Sequence, residues 1–242
     1  MPEVALEWAE RFAAFDEVEA VALGGSWKTG STDERSDLDL EVYCPTPPPP
    51  DLRRRLIEPH ADRLEIGNDW FGLGDEWTDR AGRGFDVVYW TPASIEEQLD
   101  RVLVRHEPSL GYSTAFWATA RDSRSLFDRT GWFAEVQERA RTPYPEPLRR
   151  AIVAHNHPVL RAKLNSYRDQ IASAVRRGDA VSVQHRTAAL LASWFDIVFA
   201  LDRVLHPGEK RQVALMLRSC PTRPADAEAH VAALRAEDLL PG

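Results

Sequence analysis

Residues Leu38-Asp39-Leu40-Glu41-Val42-Tyr43 alternate apolar with polar positions. A period of two is the pattern of a β-strand with one face on a core and the other turned away. Leu38, Leu40 and Val42 then face inward, and Asp37 and Asp39 present two carboxylates side by side. Just upstream, Val18 to Leu23 is short, apolar and partly β-branched, and it stops at Gly24-Gly25. That reads as a buried strand running into a tight turn. Downstream, Pro45 to Pro50 ends the alternating strand as a stiff extended loop.

The rest of the first half continues the mixture. Residues 3–16 place Val4, Trp8, Phe12 and Phe15 at helical spacing. Residues 62–67 and 84–90 read as two further strands, separated by a Gly- and Asp-rich loop over 68–83. Thr91-Pro92 is a helix start, and Ile95, Leu99, Val102 and Leu103 line one face behind it. After about residue 131 no strand pattern remains. Pro143, Pro145 and Pro147 mark a linker or elbow, and helical periodicities follow over 148–177, 180–205, 209–218 and 224–236. The expected fold is α/β (α+β): a mixed-sheet domain over residues 1–130, followed by an all-α helical bundle over 131–242.

Composition excludes several classes. At 43% hydrophobic and 28% charged, the 242 residues resemble an ordinary globular protein of one large or two small domains. No apolar run reaches about 18 residues, so no membrane span is expected. The start Met1-Pro2-Glu3-Val4 lacks the basic-then-apolar layout of a secretory leader. Cys44 and Cys220 are too few for a disulfide framework, which suits a reducing, cytoplasmic compartment. The net charge of −8 argues against nucleic acid as a partner and suits a cationic small molecule. Lysines occur only as Lys28, Lys163 and Lys210.

The short elements combine into a phosphate chemistry. Adjacent carboxylates at Asp37 and Asp39 repel unless a cation lies between them. Mg²⁺ takes hard oxygen ligands of this kind together with substrate phosphates. A third acid, Asp86, lies in the strand Gly84-Phe85-Asp86-Val87-Val88-Tyr89. If that strand pairs beside the first, the three acids can hold two Mg²⁺ ions that clamp an in-line displacement. The Gly24-Gly25-Ser26 turn offers close backbone approach, free N–H groups and a hydroxyl to a polyphosphate.

Gly24-Gly25-Ser26, a ten-residue gap and then Asp37-Leu38-Asp39-Leu40 resembles the signature of the polymerase-β-type nucleotidyltransferase superfamily, with Asp86 where that family carries its third carboxylate. The core of the match covers roughly residues 18–90, and the helical second half resembles the aminoglycoside nucleotidyltransferases and their bacterial relatives. Phe199-Ala200-Leu201-Asp202-Arg203 and His206-Pro207-Gly208-Glu209-Lys210 are similar to a segment whose lysine reaches the nucleotide phosphates. The resemblance implies Asp37 and Asp39 as metal ligands, Asp86 as metal ligand or general base, Gly25 and Ser26 on the triphosphate, and Lys210 as a phosphate contact. Where the family often has an arginine soon after the serine, this chain has Trp27-Lys28-Thr29-Gly30, and Lys28 stands in. The implied activity is Mg²⁺-dependent transfer of a nucleoside monophosphate, AMP from ATP by default, to a hydroxyl, with release of pyrophosphate. The acceptor is a small molecule such as an aminoglycoside-like antibiotic, in a cleft capped by the helical half. A protein hydroxyl, as in antitoxin-type enzymes, and a non-catalytic nucleotide- or partner-binding module remain open as alternatives.

Other groups carry weaker signals. Asp69, Asp75, Glu76 and Asp79 crowd the 68–83 loop, as a solvated acidic segment or an anionic wall for a cation. Glu107 is a candidate second base. His155 and His157 flank Asn156 where Pro158 is expected to bend the chain, which leaves them without a third metal ligand. Arg150 and His155 match a helical ribonuclease spacing that chance alone supplies. Trp194, Phe195 and Phe199 are core by spacing, and Tyr112-Ser113-Thr114 reads as helical.

Overall fold

The computed structural model describes residues 3–25, 37–70 and 72–234. The chain divides into two compact units, Met1–Gln98 with Thr119–Thr142 and Leu99–Ala118 with Pro143–Gly242.

The first unit is built on a mixed six-stranded sheet. Helix α1 (Glu3–Ala13) leads to strands β1 (Ala20–Leu23) and β2 (Leu38–Tyr43), then helix α2 (Pro50–Ile57), a 3-10 turn at Glu58–His60, and strands β3 (Ala61–Asn68), β4 (Gly74–Asp79) and β5 (Gly84–Trp90). Helices α3 (Pro92–Leu103) and α4 (Ala115–Asp122), strand β6 (Arg124–Asp128) and helix α5 (Trp132–Ala140) follow. The strand order is β3-β4-β5-β2-β1-β6. Only β2 and β5 run parallel; the other neighbours are antiparallel. One sheet face is apolar: Val21, Leu23, Leu38, Leu40, Val42, Trp77, Phe85, Val87 and Tyr89 pack with Trp8, Ala9 and Phe12 of α1 and Ile57 of α2. The i, i+4 spacing of Trp8 and Phe12 is what lets α1 lie on that face.

Three features of this unit differ from the sequence reading. The 68–83 segment is not a loop throughout: β4 occupies 74–79 and pairs with β3 and β5. It escaped detection because an inward position carries Asp75, which is fully buried. Burial of that charge is matched by Arg53 of α2, itself 2% exposed, which forms an ion pair with it. Tyr89 donates to the other carboxylate oxygen at 2.7 Å, and the Gly67 N–H donates at 2.8 Å. Asp75 is therefore neither solvated nor part of an anionic wall. α2 begins inside the proline run, where a proline in the first turn forfeits no hydrogen bond. β6 closes the sheet against β1, and Asp128 at its end accepts from Gly131, Phe133 and Ala134, fixing the start of α5. Residues 131–142, grouped with the helices in the sequence reading, thus pack with the sheet, and 99–118 with the helices.

The second unit contains helices α6 (Glu146–Arg161), α7 (Tyr167–Arg176), α8 (Ala180–Leu201), α9 (Gln212–Ser219) and α10 (Ala227–Ala232). The expected helix over 148–177 is two helices. Pro158 lies inside α6 without ending it, and the break comes at 162–166, where the Ser166 hydroxyl caps α7. His155 and His157 are both exposed on α6, on either side of buried Asn156. Phe195, Val198 and Phe199 join Met216, Cys220 and Ala227 in an apolar cluster, with Trp194 packed against it.

Tyr112-Ser113-Thr114 is not helical. Tyr112 has φ 57°, and the segment is tied down by buried polar groups. The Ser113 hydroxyl donates to Asp196 of α8 at 2.6 Å, and its N–H donates to the same carboxylate at 3.0 Å. Asn156 donates to Asp196 at 3.2 Å and accepts from the Gly111 N–H at 3.0 Å. The Thr114 hydroxyl accepts the N–H of His206, whose ring is buried against Tyr112 and Phe199.

Candidate functional site

The sheet face opposite the apolar core carries the acids. The β2–β5 register sets Asp39 beside Asp86 on neighbouring parallel strands. The antiparallel registers extend the row, with Glu76 opposite Asp86 and Glu65 opposite Glu76. Residues directly opposite one another share a face, so Glu65, Glu76, Asp86 and Asp39 form a line of carboxylates across four strands. Asp37 shares that face two positions before Asp39, and Glu41 two positions after it. Glu41 is buried and accepts from the Tyr43 hydroxyl at 2.9 Å. The Tyr43 ring is in turn clamped by Trp132 and Phe133 of α5. Burial, with Glu41 adding to it, pushes the Tyr43 phenol pKa upward, so Tyr43 remains a donor.

Two glycines fit this row closely. The Gly24 N–H donates to the Asp39 carbonyl at 2.8 Å, so the turn after β1 begins level with the second acid. Gly25 has φ 58°, and a Cβ there would overlap the Asp39 carboxylate. A Cβ on Gly84 would likewise overlap the Asp37 carboxylate. Glycine at these places gives the acids their room. A groove of about 670 Å³ opens here, lined by Asp37, Arg63, Glu65, Glu76, Thr78 and Asp86 among others.

Of the residues singled out from sequence, Asp37, Asp39, Asp86 and Gly25 come together at this face. Ser26 and Lys28 lie outside the described residues. Lys210 is exposed in the second unit, two residues ahead of α9. Glu107 follows α3 in an exposed turn and pairs with Arg105 at 3.3 Å. Asp69 is exposed, and Asp79 holds the β4–β5 turn by accepting from Ala81 and Arg83. The sequence reading missed Gly84, Glu65 and the placement of Glu76, because the row is visible only once β4 is known to be a strand. Among the described residues no group of three or more His, Cys, Asp or Glu side chains is gathered to hold a metal ion. The donor chemistry nevertheless fits Mg²⁺, which needs only one or two carboxylates beside phosphate and water oxygens. No described helix is long and apolar enough to cross a membrane.

Residues 112–211 match the family described as Domain of unknown function (DUF4037), which is less than half of the chain. No curated protein matches it. A nucleotidyltransferase-like protein from Exiguobacterium sibiricum 255-15, known from a crystal structure, is similar at 13% identity and a TM-score of 0.41, over 98% of this chain and 73% of that one. A likeness of that degree assigns no activity.

Proposed function

We propose that the chain is a nucleotidyltransferase, moving a nucleoside monophosphate from a nucleoside triphosphate, ATP by default, to a hydroxyl group. The observation that carries this reading is the pairing of Asp39 with Asp86 in register on β2 and β5, with Gly25 seated against the Asp39 carboxylate. Carboxylates on adjacent strands can hold a cation, and the glycine turn beside them lets a phosphate approach it.

In this reading Asp37 and Asp39 hold Mg²⁺, and Asp86 either shares it or takes the proton of the acceptor hydroxyl. The ion, when bound, offsets charge on the phosphates. The acceptor oxygen forms its bond to the α-phosphorus as the bond to the bridging oxygen breaks, and pyrophosphate leaves. Gly25 lets the backbone approach the triphosphate, and Ser26 and Lys210 are its proposed side-chain contacts. The groove beside Asp37 and Asp86 falls in the size range of small-molecule sites, about 300–1,000 Å³. Glu65 and Glu76 on its wall favour a cationic hydroxyl compound as acceptor.

The test is pyrophosphate release from each nucleoside triphosphate with Mg²⁺, in the presence of cationic polyols, alongside thermal shift with the nucleotide alone. The proposal fails if no nucleoside triphosphate binds in a Mg²⁺-dependent way.

A further inference from the structure

On the opposite face of the sheet, between α1, the Glu58–His60 turn and the β4–β5 turn, lies a second recess of about 350 Å³. Its floor is aromatic: Trp8 lies 4.6 Å from Trp77, and Trp77 stacks on Phe85 at 4.7 Å. Arg11, His60 and Arg80, from three separate elements, line it. Arg11 stands one helical turn after Glu7, the spacing at which an ion pair is usual. It makes none among the described residues: its guanidinium lies over the Trp8 ring at 4.9 Å and donates to His60 Nε2. That contact leaves the His60 proton on Nδ1, a second donor. Arg80 has no ion pair among the described residues, and Asp79 beside it is committed to the Ala81 and Arg83 N–H groups of the turn. Trp77, which also lines the recess, is 3% exposed and its Nε1 has no hydrogen-bond partner among the described residues.

A guanidinium set against a neutral imidazole near a second guanidinium is an arrangement that an anion would complete. We propose that this recess is an oxyanion-binding site, taking the phosphate or carboxylate head of a small molecule between Arg11, His60 and Arg80. Of the groups facing the recess, Glu7 is the one carboxylate not tied into the turn, and the two arginines outweigh it. Burial and the two arginines hold the His60 pKa below its usual value, and a bound anion would reverse that shift. The recess shares Trp77 and Phe85 with the groove beside the acids but none of its carboxylates, and the inference does not rest on the transferase reading.

The experiment follows the His60 imidazole of the full chain by NMR during separate titrations with phosphate, acetate and chloride at constant ionic strength. Phosphate or acetate is expected to shift the His60 signals saturably and to raise its pKa, with chloride inert. The tighter of the two identifies the head group as phosphate or carboxylate. Arg80→Gln, on an exposed turn, should weaken binding roughly tenfold or more at unchanged melting temperature. Arg11→Gln should do the same. Shifts that never saturate, equal responses to all three salts, or wild-type affinity in Arg80→Gln would each overturn the assignment.

Discussion

Gly25 and Asp39 occupy space that no larger pair could share: a single methyl group on Gly25 would run into the Asp39 carboxylate. Gly25→Ala therefore carries two penalties. The left-handed φ of 58° costs a non-glycine residue about 1–3 kcal/mol, and the acid must swing away. We expect a lower melting temperature and loss of Mg²⁺-dependent nucleotide binding, read by calorimetry on one preparation. Full binding in the variant would dissociate the turn from the acids.

Asp39→Asn should remove Mg²⁺-nucleotide binding while keeping the fold. Neutralising one member of a row of like charges relieves repulsion, so melting should occur at the same or a higher temperature. Isothermal titration with Mg²⁺-nucleotide decides it, and unchanged affinity would reduce the row to a solvated surface.

Asp75 and Arg53 form the opposite case, a buried pair that holds β4 to α2. Asp75→Ala strands a guanidinium in the core and should cost about 3–5 kcal/mol in urea unfolding. Replacing both partners, Asp75→Leu with Arg53→Met, should recover only part of that loss, because the Tyr89 hydroxyl and the Gly67 N–H still lose their acceptor. If the single variant is as stable as wild type, β4 is held by its ladder bonds alone.

Asp196 and His206 give the second unit opposing pH responses. Burial raises the Asp196 pKa from 3.8 to about 6, so its contribution is fully present below the unfolded value and lost as pH rises through about 6. Burial lowers the His206 pKa from 6.5 to about 4, so its contribution is present above 6.5 and lost as pH falls through about 4. The two offset one another over much of that window. Asp196→Asn removes the first and leaves the second, so the variant should lose more stability than wild type on acidification from neutrality to about pH 4. Parallel melting curves across pH would contradict this.

The parts legible in the sequence were those where local pattern and tertiary role agree. Leu38 to Tyr43 alternates because one face is core, and Val18 to Leu23 ends at glycine because the chain turns against Asp39. Those two signals put Asp39 and the glycine turn at the same end of neighbouring strands, which is where the structure has them. β4 was hidden because Asp75 breaks the apolar face, and its counter-charge Arg53 lies in a helix disguised by prolines. Ser113 and Asp196 are far apart in sequence and joined only by folding, so no local spacing could announce them. Glu65 and Glu76 became part of the acidic row only through strand register, which a single sequence does not specify.

The pairing of β1 with β6 sets an order of assembly. Ala20 has Asp128 as its partner across the sheet. On a ribosome, the strand leading into the glycine turn is made early and waits for one of its two neighbours until almost the whole sheet unit has been synthesised. Closing so long a loop is slow compared with forming the nearby β3, β4 and β5 ladders. Until then β1 has an open edge toward any other chain. The glycine turn would thus be among the last parts of the sheet to gain its final support, and nascent chains cut before Asp128 should aggregate, whereas chains extending beyond α5 should not.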